Sequence, residues 1–446
     1  MGCIIWLILL PNICQILNIL NIFELLPSHL INFVGKITHK GRGVAIYTIS
    51  STLAQGIIMF YALILARYLG PDKYGYYASG YSLVGLWSFI IGLGMDTWLL
   101  RKGGNCSFAR LLVGNILKLK CLIFSIWAPM VILGIKLLSN NSLFPWFLIV
   151  CALDIFGDNN LTTIIYGLNI TQQYSRIAKV LLFSRLGRLF GALSLIIFGV
   201  RSPFVFALVR LLFTVISLTV ALSVFRPTLK REFFEHPLYI VKESIPFALS
   251  DMIVQIYMVA DVFLLSILTT PLQVGLYSPA SNLLSALFVI PSTVYLSLIP
   301  IFSRKILDQN QLSKRIMLIS IGGLGVLGLF LTLIVGLGSR WIVPAILGQA
   351  YGETSVLLTI LSPILFLKFL QFGLVAVIVS VGWQKYRLLP QIIAASVNLS
   401  LNLVVIPSQG AKGAAIVYNL SEILLLCGYI YLVLLYFSRI MNKQRL

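Results

Sequence analysis

The sequence predicts an all-α polytopic membrane protein with about twelve core transmembrane helices. They form two six-helix lobes related by a pseudo-two-fold axis along the membrane normal. Three observations predict this. Of 446 residues, 59% are hydrophobic and only 10% charged, with mean hydropathy +0.99. A soluble globular chain carries about 25% charged residues, so most of this surface has lipid for its solvent. Apolar runs of some twenty residues recur along the whole chain. Each can cross a hydrocarbon core of about 30 Å as a helix, whereas barrel strands would alternate over about 10 residues. Finally, residues 71–77 (PDKYGYY) and 271–277 (PLQVGLY) share the pattern Pro-x-x-x-Gly-x-Tyr at an offset of 200 positions.

The spans are expected at 43–66, 75–97, 109–138, 143–166, 177–200, 203–226, 244–269, 276–302, 315–336, 354–381, 387–407 and 411–438. Basic residues test this count. Lys and Arg gather on the cytoplasmic side of polytopic proteins. With these spans, 25 of the 33 fall on one side, among them Lys36, Arg101, Lys120, Arg176, Arg304 and Arg439. Arg67, Lys73, Lys136, Arg201, Arg340 and Lys412 fall on the other, and Arg210 and Lys368 lie inside spans. Both ends of the twelve-span core are thereby expected in the cytoplasm of a cell membrane, inner or plasma. The net charge of +20 follows from this topology, so no nucleic-acid partner is expected; membrane lipid is the expected surrounding.

The chain divides into a hydrophobic extension (1–35), an N-lobe with spans 1–6 (36–226), a cytoplasmic linker (227–243), and a C-lobe with spans 7–12 and a short cytoplasmic tail (244–446). The extension carries CIIWLILLPNICQILNILNIF (3–23), apolar but broken by Pro11 and spotted with Asn. It reads as an extra span, an interfacial helix or an upstream start. No basic region precedes it, as a cleaved signal peptide would require.

The offset of 200 also aligns Ser50 with Ser250, Gln55 with Gln255, Leu65 with Leu265 and Leu83 with Leu283. In each half the motif sits between the first two spans. There Pro would fix φ, Gly would supply backbone freedom in the turn, and Tyr would fall at the membrane interface. Two parallel six-span repeats leave a central seam that rocking can open to either face. The duplication therefore argues for a transporter rather than a membrane-embedded enzyme.

Several stretches carry a family resemblance. LARYLGPDKYGYYASGYSLVGLWSFIIGLGMDTWLLRKG (65–103) resembles the opening of the polysaccharide transporter, or oligosaccharide flippase, family. SIPFALSDMIVQIYMVADVFLLSIL (244–268) and VGLYSPASNLLSALFVIPSTVYLSLIPIFSR (274–304) resemble its second half. ILGQAYGETSVLLTILSPILFL (346–367), GWQKYR (382–387) and NLSLNLVVIPSQGAKGAAIVYNLSE (398–422) resemble the remainder. The similarity runs over about 36–440. It implies the fold of the multidrug/oligosaccharidyl-lipid/polysaccharide exporter superfamily. It also implies movement of polyprenyl-diphosphate-linked oligosaccharide from the cytoplasmic to the outer leaflet, with a polysaccharide polymerase as a partner class. The alternatives are a drug or small-cation exporter on the same fold, and a membrane-embedded glycan polymerase or glycosyltransferase.

Charges inside a bilayer cost about 2.5–3.5 kcal/mol each and face a bundle interior or wet cavity. Five acids meet that description: Asp96, Asp154, Asp158, Asp251 and Asp261. Asp154 and Asp158 are four apart, on one helix face, where a shared proton, a bound coupling ion or a neighbouring helix would lower their cost. Asp251 joins them as a candidate. Asp261 resembles an acid that family members carry, and a salt bridge across the lobes is its plainer reading. For the diphosphate head group the candidates are Lys368, Gln371 one turn on, and Arg210, with Arg185 and Arg188 forming a mouth at the cytoplasmic end of span 5 or simply marking topology. Arg contacts phosphate bidentately, Lys as a point charge. Trp87, Trp98, Tyr257 and Tyr295 are candidates to stack on sugars or to anchor at the interface. No G-x-x-x-x-G-K-[ST], H-E-x-x-H or C-x-x-C occurs, so no ATPase, metal or cofactor is expected, and no catalytic residue is assigned.

Overall fold

The computed structural model describes residues 39–102, 106–138, 145–228, 236–309 and 314–443. The expected extension 1–35 and most of the expected linker lie outside the described residues. Within them the chain is helical, with no strand. The helices are α1 (His39–Gly85), α2 (Phe89–Gly92), α3 (Met95–Lys102), α4 (Cys106–Leu138), α5 (Pro145–Ile170), α6 (Tyr174–Ile197), α7 (Pro203–Phe225), α8 (Pro237–Leu268), α9 (Pro271–Leu287), α10 (Val289–Gln309), α11 (Lys314–Leu347), α12 (Gly352–Leu361), α13 (Pro363–Ser380) and α14 (Leu388–Lys443).

Among the described residues ten segments are long and apolar enough to cross a membrane. Two of them, Ile46–Lys102 and Gln384–Ser438, run for 57 and 55 residues, far beyond the ~20 that one crossing needs. Each folds back at a glycine. Gly70 has φ 77 and ψ 168, and Gly410 has φ 57 and ψ −136, regions open mainly to a residue without Cβ. The reversal is plain from contacts. Tyr61 and Tyr77 would stand about 24 Å apart along a straight helix, yet their hydroxyls are 2.9 Å apart. In α14 a Cβ on Gly428 would lie 2.7 Å from Pro390, 38 residues away. With the two reversals the ten segments make twelve passes, as the apolar runs predict.

Several passes are broken, and freed backbone groups in an apolar surrounding must find partners. After α1 the chain passes through a 3-10 turn (Leu86–Ser88), then Leu93 and Gly94 at φ 40 and 67. The Gly85 carbonyl accepts from Gln255 Nε2 at 3.0 Å and the Trp87 carbonyl from Trp127 Nε1 at 3.0 Å. Pro363 breaks the pass between α12 and α13. There Thr332 of α11 donates to the Ser362 carbonyl and accepts from the Phe366 amide.

The Pro-x-x-x-Gly-x-Tyr motif corrects its sequence reading. Its glycines are not turn residues. Pro71 and Pro271 open helical arms, and Gly75 and Gly275 lie inside them. The first turn belongs to Gly70; the second, at Thr269–Thr270, has no glycine. What Gly75 supplies is room: a Cβ there would lie 1.7 Å from the Pro271 carbonyl oxygen, and one on Gly275 would lie 1.8 Å from the Pro71 carbonyl oxygen. The two copies thus pack backbone to backbone, each glycine under the other's proline, the reciprocity a two-fold relation produces. The tyrosines are core residues rather than interfacial anchors, Tyr77 and Tyr277 being 5% and 1% exposed. Leu65, Leu83, Leu265 and Leu283, aligned by the same offset, share one buried cluster with them.

Residues before and after the central segment also meet elsewhere. Near Gly70, Tyr351 donates to the Ala66 carbonyl at 2.6 Å, and Arg67 donates to the Ala345 carbonyl at 2.9 Å, occupying end-of-helix acceptors of α11. Near Gly94 the backbone is pressed against α8, leaving 2.4 Å between a Cβ and the Ala248 nitrogen.

Candidate functional site

Among the described residues, ionisable side chains inside the bundle form three ion-paired clusters. The first joins α5, α6 and α7. Asp154, fully buried, receives Arg210 Nε at 2.7 Å on one carboxylate oxygen and the Thr214 hydroxyl on the other. Arg210 also donates to the Tyr77 hydroxyl at 3.3 Å and lies 4.1 Å over the Tyr81 ring. One helical turn along α5, Asp158 accepts from Arg188 at 2.7 Å and Arg185 at 3.3 Å. Asp154 and Asp158 therefore share a helix face but have separate cation partners, Arg210 for the first and Arg188 with Arg185 for the second. Arg185 and Arg188 are not free topological charges either, since both converge on Asp158 and Arg188 is only 6% exposed.

The second cluster escaped the sequence reading. Lys120, counted there among the cytoplasmic charges, is fully buried. Its ammonium donates to Asp96 at 2.8 Å, to Thr163 at 2.7 Å and to the Asn159 side chain at 3.2 Å, using all three of its protons. Thr163 in turn donates to Asp96 at 2.7 Å. Arg110, near the start of α4, pointed to a flank, whereas Lys120, ten residues further along the helix, is held inside by an acid on α3.

The third cluster lies between α8, α13 and α14. Lys368 Nζ sits 2.7 Å from Glu422 Oε1, and Gln371 Nε2 donates to Glu422 Oε2 at 2.8 Å. The Tyr257 hydroxyl also donates to Glu422 Oε1, and Lys368 lies 5.1 Å over the Tyr257 ring. Glu422 is fully buried and was not picked out from the sequence, although a lone acid in the apolar run 414–435 is itself the signal. Lys368 and Arg210, both read as partners of a diphosphate, belong to separate clusters.

Asp261 stands apart. It accepts from Tyr277 at 3.0 Å and from Asn402 at 2.7 Å, and Asn402 also reaches Asn398 at 3.1 Å. Among the described residues the salt bridge across the lobes expected of it is not formed: its partners lie on α9 and α14 and are uncharged. Asp251 is exposed and makes no ion pair among the described residues. Of the aromatic candidates, Trp98 is a core residue, and Tyr257 and Tyr295 line a cavity of ≈ 340 Å³ with Lys368 and Gln371. Among the described residues no cluster of His, Cys, Asp and Glu could hold a metal ion.

Twelve passes define a polytopic membrane protein, and their arrangement is the fold of flippase and multidrug-transporter structures. Over 87% of both chains it superposes on a structure described as lipid II flippase MurJ in an inward closed conformation, with TM-score 0.68 and 14% identity. Over 84% of this chain and 93% of the other it matches an inward-facing multidrug resistance MATE family transporter of the MOP superfamily, with TM-score 0.66 and 13% identity. A MOP superfamily transporter from Pyrococcus furiosus matches over 90% and 96%, with TM-score 0.56 and 14% identity. No curated protein sequence matches the chain. The family model described as polysaccharide biosynthesis protein matches residues 41–305, more than half the chain, and the protein belongs to that family.

Proposed function

We propose that the protein moves a polyprenyl-diphosphate-linked oligosaccharide from the cytoplasmic to the outer leaflet of the cell membrane by alternating access, for polysaccharide biosynthesis. The two halves, 36–226 and 244–446, act as lobes that rock about the seam where Gly75 and Gly275 meet. The Gly70 end faces outward, and both ends of the core face the cytoplasm. The observation that carries the reading is the polar interior: Arg210 and Lys368, each held by an acid, lie inside helices of otherwise apolar sequence. Charge in that position marks a substrate or ion path. Family membership and the resemblance to a lipid II flippase structure support the same reading. Asp261, with an amide-lined shell and no cation partner among the described residues, is the best placed of the acids for a coupling ion. Asp154 and Asp158 instead keep the arginines in place.

A small-cation exporter would favour an acidic interior, whereas Asp96, Asp154, Asp158 and Glu422 are each paired with Lys or Arg. A polymerase or glycosyltransferase would alter glycan chemistry rather than its sidedness. The test is the sidedness of lipid-linked glycan in cells depleted of this protein, probed in sealed spheroplasts with a glycosidase that cannot cross the membrane. Transport requires intact lipid-linked glycan to accumulate shielded inside, with access restored by the wild-type protein. Unchanged sidedness with a shortened glycan would replace the transporter with an enzyme.

A further inference from the structure

A cavity of ≈ 690 Å³ opens beside the seam where the two motif copies meet, and none of its lining residues belongs to the three ion-paired clusters. On one side of the seam stand Asp72 and Lys73, next to Pro71, whose carbonyl faces Gly275. On the other stand Thr270 and Leu272, next to Pro271, whose carbonyl faces Gly75. A ligand that fills the cavity therefore touches both copies at once. The walls are aromatic. Tyr76 packs against Phe147 with ring centroids 5.0 Å apart, Phe204 adds a third ring, and Trp146 is 71% exposed. The polar groups at the rim are uncommitted. Asp72 and Lys73 are exposed, adjacent positions on a helix do not face each other, and neither forms an ion pair among the described residues. The hydroxyls of Ser202 and Thr270, the N-caps of α7 and α9, make no capping hydrogen bond. Rings bordered by free donors and acceptors match a sugar, whose C–H face packs on an aromatic ring while its hydroxyls take partners at the edge. An acyl chain would cover the rings and leave the polar groups unmatched. The charges of Asp72 and Lys73 cancel, which favours a neutral ligand over a phosphate. The volume falls within the range of ligand sites, about 300–1,000 Å³, and suits a short stretch of glycan.

We propose that this cavity binds neutral sugar residues of glycan on the outer side and, by bridging the two motif copies, holds their seam closed. The inference rests on the transport reading, which puts the Gly70 end outside, and adds a regulatory site to it. Trp146 supplies the exposed stacking face. The Asp72 carboxylate accepts from neighbouring hydroxyls, and Lys73, Ser202 and Thr270 supply donors around the rest of the ring. A ligand that needs both sides of the seam binds the closed arrangement, so its binding free energy adds to the stability of that state. Glycan that accumulates outside thereby slows reopening of the seam, and with it further export.

The full chain in lipid nanodiscs is titrated with glycan freed from its lipid carrier by mild acid. Trp146 fluorescence is read as the difference between wild type and Trp146→Phe. A saturable change is expected, with Asp72→Ala weakening binding at least tenfold and Ser202→Ala weakening it less. Both side chains lie at the rim, so each variant should melt like wild type without glycan. In spheroplasts, added glycan is expected to slow the outward appearance of lipid-linked glycan at least twofold in wild type and not in Asp72→Ala. A silent Trp146, or wild-type affinity in both folded variants, overturns the proposal. Quenching of Trp146 by brominated phospholipid that saturating glycan does not relieve assigns the cavity to lipid and also overturns it, as does export that added glycan leaves unslowed. Binding that depends on Asp72, with glycan sidedness unchanged on depletion, keeps the sugar site and removes the transport reading. Altered sidedness with binding independent of Asp72 does the reverse.

Discussion

The two copies of Pro-x-x-x-Gly-x-Tyr share a backbone and differ in charge. In both, the tyrosine reaches back across the preceding turn to the residue sixteen positions earlier. In the first copy that residue is Tyr61, 2.9 Å from the Tyr77 hydroxyl, and a cation, Arg210, completes the group. In the second it is Asp261, 3.0 Å from the Tyr277 hydroxyl, completed by Asn402. One motif therefore carries a guanidinium beside its first copy and a carboxylate beside its second. The duplication fixed how helices pack, because the reciprocal Gly75 and Gly275 contacts leave no space for a side chain. It left free which charges the packed helices present.

The largest expected effect comes from breaking the shared part. Gly75→Val and Gly275→Val each drive a side chain into backbone rather than into a movable group, and both should abolish the monodisperse folded protein in size-exclusion chromatography. Gly134→Val, where a Cβ meets nothing within 4 Å, should behave as wild type. If one of the two seam variants folds normally, the equivalence of the copies fails.

The next effect separates the charged parts. Asp154→Asn leaves Arg210 without its carboxylate, and breaking a buried pair costs about 3–5 kcal/mol. Asp261→Asn orphans no cation and loses only charge-assisted hydrogen bonds of about 1.5–3 kcal/mol. Thermal unfolding in a single detergent should rank Asp154→Asn well below Asp261→Asn, with Arg210→Met partly rescuing Asp154→Asn. Equal destabilisation would mean that the two halves do not differ in charge logic. The smallest effect is expected of Tyr61→Phe, which removes one hydroxyl from a hydrogen-bonded pair, at about 0.5–1.5 kcal/mol. A larger loss in the same melting experiment would show that Tyr61 helps to hold Arg210.

Much of the fold was legible because lipid imposes a length rule: apolar runs must be long enough to cross, and loops between them short. The repeat was legible as a register, but its mechanism was misread. Pro and Gly close together suggest a turn, and only the neighbouring backbone shows that Gly75 makes space instead. The site was legible in part. Arg210, Lys368, Asp154 and Asp158 stood out as charges within apolar runs. Their partners did not, because Asp154 and Arg210 are 56 positions apart and Lys368 and Glu422 are 54 apart. Lys120 was misplaced for the same reason: grouped with Arg110 and Lys118, it resembles a topological charge until Asp96 is seen beside it.

The sequence by itself determined the solvent, the number of passes and the repeated Pro-x-x-x-Gly-x-Tyr register, since hydrophobic length and internal repetition are properties of the chain alone. Only the tertiary structure decided which cations are neutralised and which remain available. That choice depends on the distance between charges on different helices, and helix packing sets this distance rather than separation along the chain.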